Sequence, residues 1–581
     1  MSKAVIIFTL LLLLLAGTGI FSCKKNKSPS ADPVPPTDTL VVVKPVTDPP
    51  AATTMGFFLD DWQAKTFTAP AYTEVTPVTA VTNNIITVDA SAVITKIPLS
   101  MFGHNANTWM TPMVTEPLFM NHITSLHPHI IRWPAGSGSD VYFWNQPQNA
   151  LPPDVPQQIM DKDGALKDPG YWYGKSNNNW SANLDQYYAM LQQSGNQGMI
   201  TVNYGYARYG TSNDPVAAAA HLAADWVRYD NGRTQYWEIG NENYGDWEWG
   251  YRIDRIKNKD GQPEYVTGKL YAQHFKVFAD SMQKAATEMG KKIYIGATLV
   301  ESPAETWQTN TVKTWNSSML PELGDQHDFY VVHNYFTTYN ANSNAAEVLG
   351  AAYTVPAKMM DFVLQTLQTT GAPVKPVALT EWNMWAKNSK QQVSNTSGVF
   401  ALLIMGEALK NKYGMAARWD LLNGWSNGDD HGLFSDGNEP GIPKWTPRPS
   451  FYYMYFFQKM LGDRFIPVSV KNTTAIVPYA STYSSGQVNI TLINTSASPV
   501  TTEVKINNFN TGHRFYWYSL EGSNDNGEFS GKVLVNGNGP EQAAGGPADY
   551  ALLKAYSATT LNGIKITVPP LGAVCIVADK K

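Results

Sequence analysis

The 581-residue chain carries a formal net charge of −5, with 16% charged residues, 12% aromatics, 18 Trp and 30 Tyr. That length predicts two large domains, and the small negative charge, with no basic footprint, excludes a nucleic-acid partner. The wealth of rings fits a carbohydrate surface, and equally a large aromatic core.

Residues 1–22 hold Lys3, an apolar run from Ala4 to Phe21, and Ser22 before Cys23. This reads as a secretory leader, not as fold. Ile20-Phe21-Ser22-Cys23 resembles a relaxed bacterial lipoprotein cleavage box, so Cys23 is the expected lipidation site and a lipid anchor the expected membrane partner. The expected location is outside the cytoplasm, on the periplasmic or surface side. Residues 25–54, rich in Pro, Thr and Ser, read as an extended tether. Gly56 to Phe67 is too aromatic for a linker and is expected to pack on the body; 23–83 are taken together as tether and packing segment.

The body starts at Asn84. Ile85 to Ile94 alternates like a sandwich strand. Eight apolar runs follow, most with a helical stretch behind them: Pro98–Gly103, His129–Trp133, Gly198–Tyr204, Gln235–Gly240, Lys292–Ala297, Asp328–His333, Pro376–Thr380 and Ala416–Leu422. They predict an α/β fold, a (β/α)8 TIM barrel over residues 84–463. Pro449 to Asp463 reads as its last helix. Residues 464–581 switch to short alternating segments and predict a C-terminal antiparallel β-sandwich, which the 85–94 strand can join. Cys575, in Gly-Ala-Val-Cys-Ile-Val-Ala, is expected to be a buried, inert strand residue.

Two carboxylates stand at predicted strand ends. Tyr236 to Gly250 reads YWEIGNENYGDWEWG, with Glu242 just past strand four; KPVALTEWN puts Glu381 just past strand seven. Barrel enzymes carry chemistry at this end, and paired carboxylates of this kind perform glycoside hydrolysis. Trp237, Tyr244, Trp247 and Trp249 form an apolar surround expected to raise the Glu242 pKa, as a general acid requires. Other ends carry polar or ring-bearing groups: Arg132-Trp133 after strand two, Asn203-Tyr204 after three, His333-Asn334-Tyr335 after six, Asn423-Gly424-Trp425 after eight. Together they describe a polar sugar pocket. Glu238, inside strand four, is expected to be paired with a cation, and Asp246 and Glu248 to shape the loop. Asp161–Asp168 lacks the spacing of a calcium loop, and His127 and His129 read as structural, so neither metal nor organic cofactor is expected.

These motifs resemble the retaining glycoside hydrolases of clan A, most of all the family 51 α-L-arabinofuranosidases. The resemblance runs from about Asn84 to the C-terminus. It rests on Phe102-Gly103, Ile131-Arg132-Trp133-Pro134, Val202-Asn203-Tyr204-Gly205, Gly240-Asn241-Glu242, His333-Asn334-Tyr335 and Glu381-Trp382-Asn383-Met384-Trp385. It implies Glu242 as acid/base and Glu381 as nucleophile. Asn241 would bond the sugar 2-hydroxyl, and Arg132 and Tyr335 would orient the nucleophile and keep it ionised. His333, Asn203, Trp382 and Trp425 would line the site. Two positions depart from the family: Asn107 stands where a Glu holds the arabinose, and Pro134-Ala135-Gly136-Ser137 replaces Pro-Gly-Gly-Asn. The catalytic pair therefore carries over better than the sugar. A xylosidase, a glucuronidase or an endo-enzyme on plant or algal polysaccharide stays open, and the substrate is a polysaccharide or its oligosaccharides. The competing class is a non-catalytic polysaccharide-binding surface lipoprotein, which has no use for Glu at both strand ends.

Overall fold

Eight parallel strands close into a barrel: β1 Gly103–Asn105, β2 Ile130–Trp133, β3 Gln197–Val202, β4 Thr234–Ile239, β5 Tyr294–Thr298, β6 Phe329–Asn334, β7 Val377–Trp382 and β8 Met415–Arg418. The structure, a computed structural model, describes residues 43–134, 136–339, 341–384 and 390–581. The leader, Cys23 and most of the tether lie outside them, as do Ala135 and Trp385. No helix among the described residues is long and apolar enough to cross a membrane.

Seven strands fall on the predicted apolar runs, because parallel strands are covered on both faces. The first does not. Leu99–Phe102 is a 3-10 turn, and the ladder is made by the polar Gly-His-Asn that follows, paired with β8 through Gly103 and Ala417. The apolar residues are needed beneath β8, where Ser100 donates to the Gly414 carbonyl, and the barrel interior takes Asn105 instead. The outer helices start at clear signals. Asp214 accepts from the Ala217 N–H ahead of Pro215–Asp230, and Asn344 and Glu347 form a capping box on Ala345–Thr370.

The segment 54–59 seals the N-terminal end of the barrel. Phe57 stacks on Tyr294 with ring centroids 3.7 Å apart, and buried Phe58 packs against Tyr236 and Phe329. The Val377 N–H donates to the Thr54 carbonyl, so the plug is tied to β7. Further along, Trp62 lies under Lys96 and Arg464, and Arg464 also pairs with Asp48 at 2.6 Å.

The remaining strands form a sheet of nine, a sheet of four and two two-stranded ribbons. Ile85–Asp89 belongs to the smaller sheet, antiparallel to Val468–Lys471 and parallel to Val500–Asn507. Most of the sandwich is antiparallel; its parallel contacts involve strands contributed by the N-terminal segment, Tyr72–Glu74 and Ile85–Asp89. The larger sheet packs on the barrel through helices Asn395–Lys410 and Pro449–Met460. The first of these is buried along almost its whole length, which explains its lack of a polar face. Gly398 and Gly406 lie on it where any Cβ would strike Tyr453 and Tyr479. Cys575 sits in this layer, fully buried, its thiol pushed up to about 12 by burial, as expected for an inert strand residue.

Candidate active site

At the C-terminal end of the barrel one guanidinium ties four strands together. Arg132, on β2, donates to Glu238 on β4 (2.6 Å), Asn105 on β1 (2.9 Å), Glu381 on β7 (3.2 Å) and Asn241 just past β4 (2.9 Å). It is 1% exposed, so these bonds replace its hydration shell. Glu238 also accepts from Thr201 and, with Arg132 beside it, stays below its ordinary pKa despite burial. It points into the barrel, paired as expected.

Glu381 lies within β7, one residue before its end, not beyond it. Its second oxygen accepts from the Tyr335 hydroxyl. Glu242 follows a sharp turn: Gly240 takes φ 75°, where a Cβ would overlap the Asn243 side chain, and Glu242 itself sits at φ 43°. A left-handed backbone is costly for a glutamate, and its presence at a functional position is where such strain collects. The Glu242 oxygens accept from His333 Nδ1 and Trp247 Nε1, both at 2.9 Å. His333 stands 3.8 Å from Glu381 and hydrogen-bonds Thr380 through Nε2 at 3.0 Å. One oxygen of Glu242, one of Glu381 and a His333 nitrogen all lie within 4.8 Å of each other.

Two Glu and a His this close could form a cation site. The other donors argue otherwise, since the Arg132 guanidinium, the Tyr335 hydroxyl and the Trp247 N–H already occupy the carboxylate oxygens, and a dication would stand beside a fixed positive charge.

The protonation order differs from the expectation. Burial pushes both carboxyls up. At Glu242 the His333 and Trp247 donors, with the Arg132 charge, outweigh burial and hold the group below its ordinary value. At Glu381 burial wins, helped by the Glu242 charge, over His333, Arg132 and Tyr335, and the group sits above its ordinary value. The cause is the asymmetric placement of His333. Burial would lower its pKa, but the two carboxylates reverse that and raise it. The site therefore favours the carboxylate form of Glu242 and the protonated form of the imidazole bonded to it.

The other anticipated residues are placed as follows. Asn241 donates to Glu248 at 3.0 Å, and Glu248 also accepts from Ser137; burial and the charges of Asp140 and Glu242 push the Glu248 carboxyl well up. Asn107 is buried and donates to Asp420 and to the Leu422 carbonyl. Asn203 bonds the Tyr142 carbonyl and the Tyr209 hydroxyl, Trp382 is buried against Phe400, and Trp425 lies under Arg448. The contacts of these last three serve loops and packing, not the two glutamates.

Three further residues around the site escaped the sequence reading. Glu301, past β5, accepts from Asn334 at 2.7 Å and is pushed up to about 7 by burial, with Glu242 adding to the effect. Asp140 accepts from the Tyr204 and Gly205 N–H groups and from Asn243, fixing the loops after β3 and β4. Trp419, directly after β8, faces Glu381 across Gly136. A polar or aromatic residue just past a strand is the rule that found the others, and it applies to Glu301 and Trp419 as well.

No protein-family model matches the chain, and no curated protein matches it in sequence. Solved structures do. The α-L-arabinofuranosidase of Thermotoga maritima in complex with arabinose is similar over 85% of this chain and 99% of its own, at 16% identity and TM-score 0.57. CelM2, a bifunctional glucanase-xylanase from a metagenome library, covers 86% and 99% at 13% identity and TM-score 0.56. A Paenibacillus polymyxa xyloglucanase of glycoside hydrolase family 44 covers 86% and 99% at 11% identity and TM-score 0.53. The chain thus shares the barrel-plus-sandwich fold of these glycoside hydrolases.

Proposed function

We propose that the protein is a retaining glycoside hydrolase with Glu381 as nucleophile and Glu242 as acid/base. The observation that carries this reading is that one oxygen of Glu242 lies within 4.8 Å of one of Glu381. Retaining enzymes set them about 5–5.5 Å apart, whereas inverting enzymes need about 6.5–9.5 Å to admit a water. Arg132 and Tyr335 hold the Glu381 oxygens for attack on the anomeric carbon. Glu242 gives the leaving oxygen the proton it shares with His333. Once Glu381 is esterified its charge is gone, while His333, Trp247 and Arg132 still favour the ionised form of Glu242, the carboxylate that deprotonates water.

The sequence motifs favour an α-L-arabinofuranoside as the sugar, in line with the arabinofuranosidases that share the fold. The second reading is an endo-enzyme, favoured by a row of tryptophans that starts beside Glu381 at Trp419. Export with a lipid on Cys23 belongs to the same reading, and loss of membrane retention in Cys23→Ser tests it. Function is tested with aryl glycosides, α-L-arabinofuranoside first, against wild type and Glu381→Ala. Turnover lost in the variant supports the reading; turnover that survives overturns it.

A further inference from the structure

Four indoles lead away from the nucleophile. A side chain at Gly136 would lie 3.4 Å from Glu381 Oε2 and 3.3 Å from the Trp419 ring, so both border one space. From Trp419 the rings continue to Trp109, Trp172 and Trp180, with successive centroids 6.2, 6.0 and 5.8 Å apart. A cavity of about 310 Å³ lies between Trp419, Trp109 and Trp172. Trp172 also lines a second hollow of about 180 Å³ that reaches Trp180. Trp180, at the far end, is 51% exposed, so packing does not account for it.

The row adjoins the catalytic pair. The leaving group departs on the side of the acid, where half-exposed Trp247 bonds Glu242. The row begins beside the nucleophile, and its first cavity is also bordered by Trp249 of the loop that carries Glu242. An enzyme that trims single terminal sugars needs one sugar site beside its catalytic pair; in this protein cavities lined by indoles extend beyond it to exposed Trp180. Indole faces attract flat C–H surfaces. Pyranoses with equatorial substituents joined by β-linkages present such surfaces in succession, while small puckered furanose rings do not.

We propose that this row binds a β-linked pyranose polysaccharide beside the scissile bond, so that the protein cuts within a chain. The inference takes the endo reading over the arabinofuranoside one; it rests on the retaining-hydrolase reading for the cut, and on the row alone for binding. Glu381→Ala, titrated calorimetrically with cello- and xylo-oligosaccharides of two to six units, separates the two. Affinity in one of these series should rise with each added unit, by about 100-fold in total. Trp180→Ala in that background should lose about tenfold on the longest chain and less on shorter ones. Trp172→Phe, which keeps a ring in the packed position, should weaken the same chains. Affinity independent of length, or variants that bind like their parent, would overturn the proposal. Wild type acting on the polymer should release oligosaccharides first; monosaccharide as the sole product would also overturn it. Hydrolysis that persists in Glu381→Ala would instead refute the catalytic assignment, whatever the calorimetry shows.

Discussion

The same eight strands end in opposite chemistries. At their N-terminal end Phe57, Phe58, Tyr236, Tyr294 and Phe329 make a sealed apolar plug. At their C-terminal end the chain buries Arg132, Glu238, Glu381 and His333, with Glu242 partly covered. Burying a phenylalanine stabilises by about 1.5–3 kcal/mol, whereas each buried ion costs several kcal/mol before its partners offset it. One end therefore serves the fold, and the other is tolerated because it serves chemistry.

Changes at each end should break this contrast in opposite senses. Glu381→Ala should lower kcat by about 10⁴-fold or more, with the melting temperature unchanged or raised, because a buried carboxylate beside another is removed. Aryl-glycoside turnover and thermal unfolding of one preparation check both halves. Phe58→Ala should do the reverse, costing about 3–5 kcal/mol in urea unfolding while kcat per folded molecule stays level. A large fall in kcat there would erase the distinction.

Smaller effects sharpen it within the catalytic end. His333→Ala removes the Glu242 hydrogen-bond partner that also stands 3.8 Å from Glu381 and should cost about 100-fold in kcat/KM. It also removes a positive charge that lowers the Glu381 pKa, so the acid limb of the pH–rate profile should move to higher pH. Glu301→Gln tests a carboxyl whose pKa in the fold, about 7, lies above its ordinary 4.5. The fold then binds more protons than the unfolded chain between those values, and stability falls as pH rises through them. The variant should lose less melting temperature than wild type between about pH 5 and pH 7.5.

How much of this was legible in the sequence follows the same division. Seven barrel strands show as apolar runs because both their faces are covered, and the glutamates show because they interrupt such runs at the end. β1 was misplaced because its interior residue is Asn105, which is required by Arg132 and invisible to an apolar pattern. The four-way clamp joins Arg132 to residues as far as 249 positions away in sequence, so no local signal marks it. The reversed protonation of the pair turns on a difference of 2.9 against 3.8 Å in the reach of His333, which only coordinates reveal. The plug is the opposite case: its aromatic excess was readable, but its docking place was not.

The stereochemistry of the cut tests the catalytic pair most directly. Wild-type protein, with the first aryl glycoside or oligosaccharide it turns over, should be followed by proton NMR from the earliest minutes. The first-formed sugar should carry the anomeric configuration of the substrate, as two displacements at one carbon require. A first product of inverted configuration would contradict Glu381 as nucleophile, and the close approach of the two carboxylates would no longer mark a double displacement.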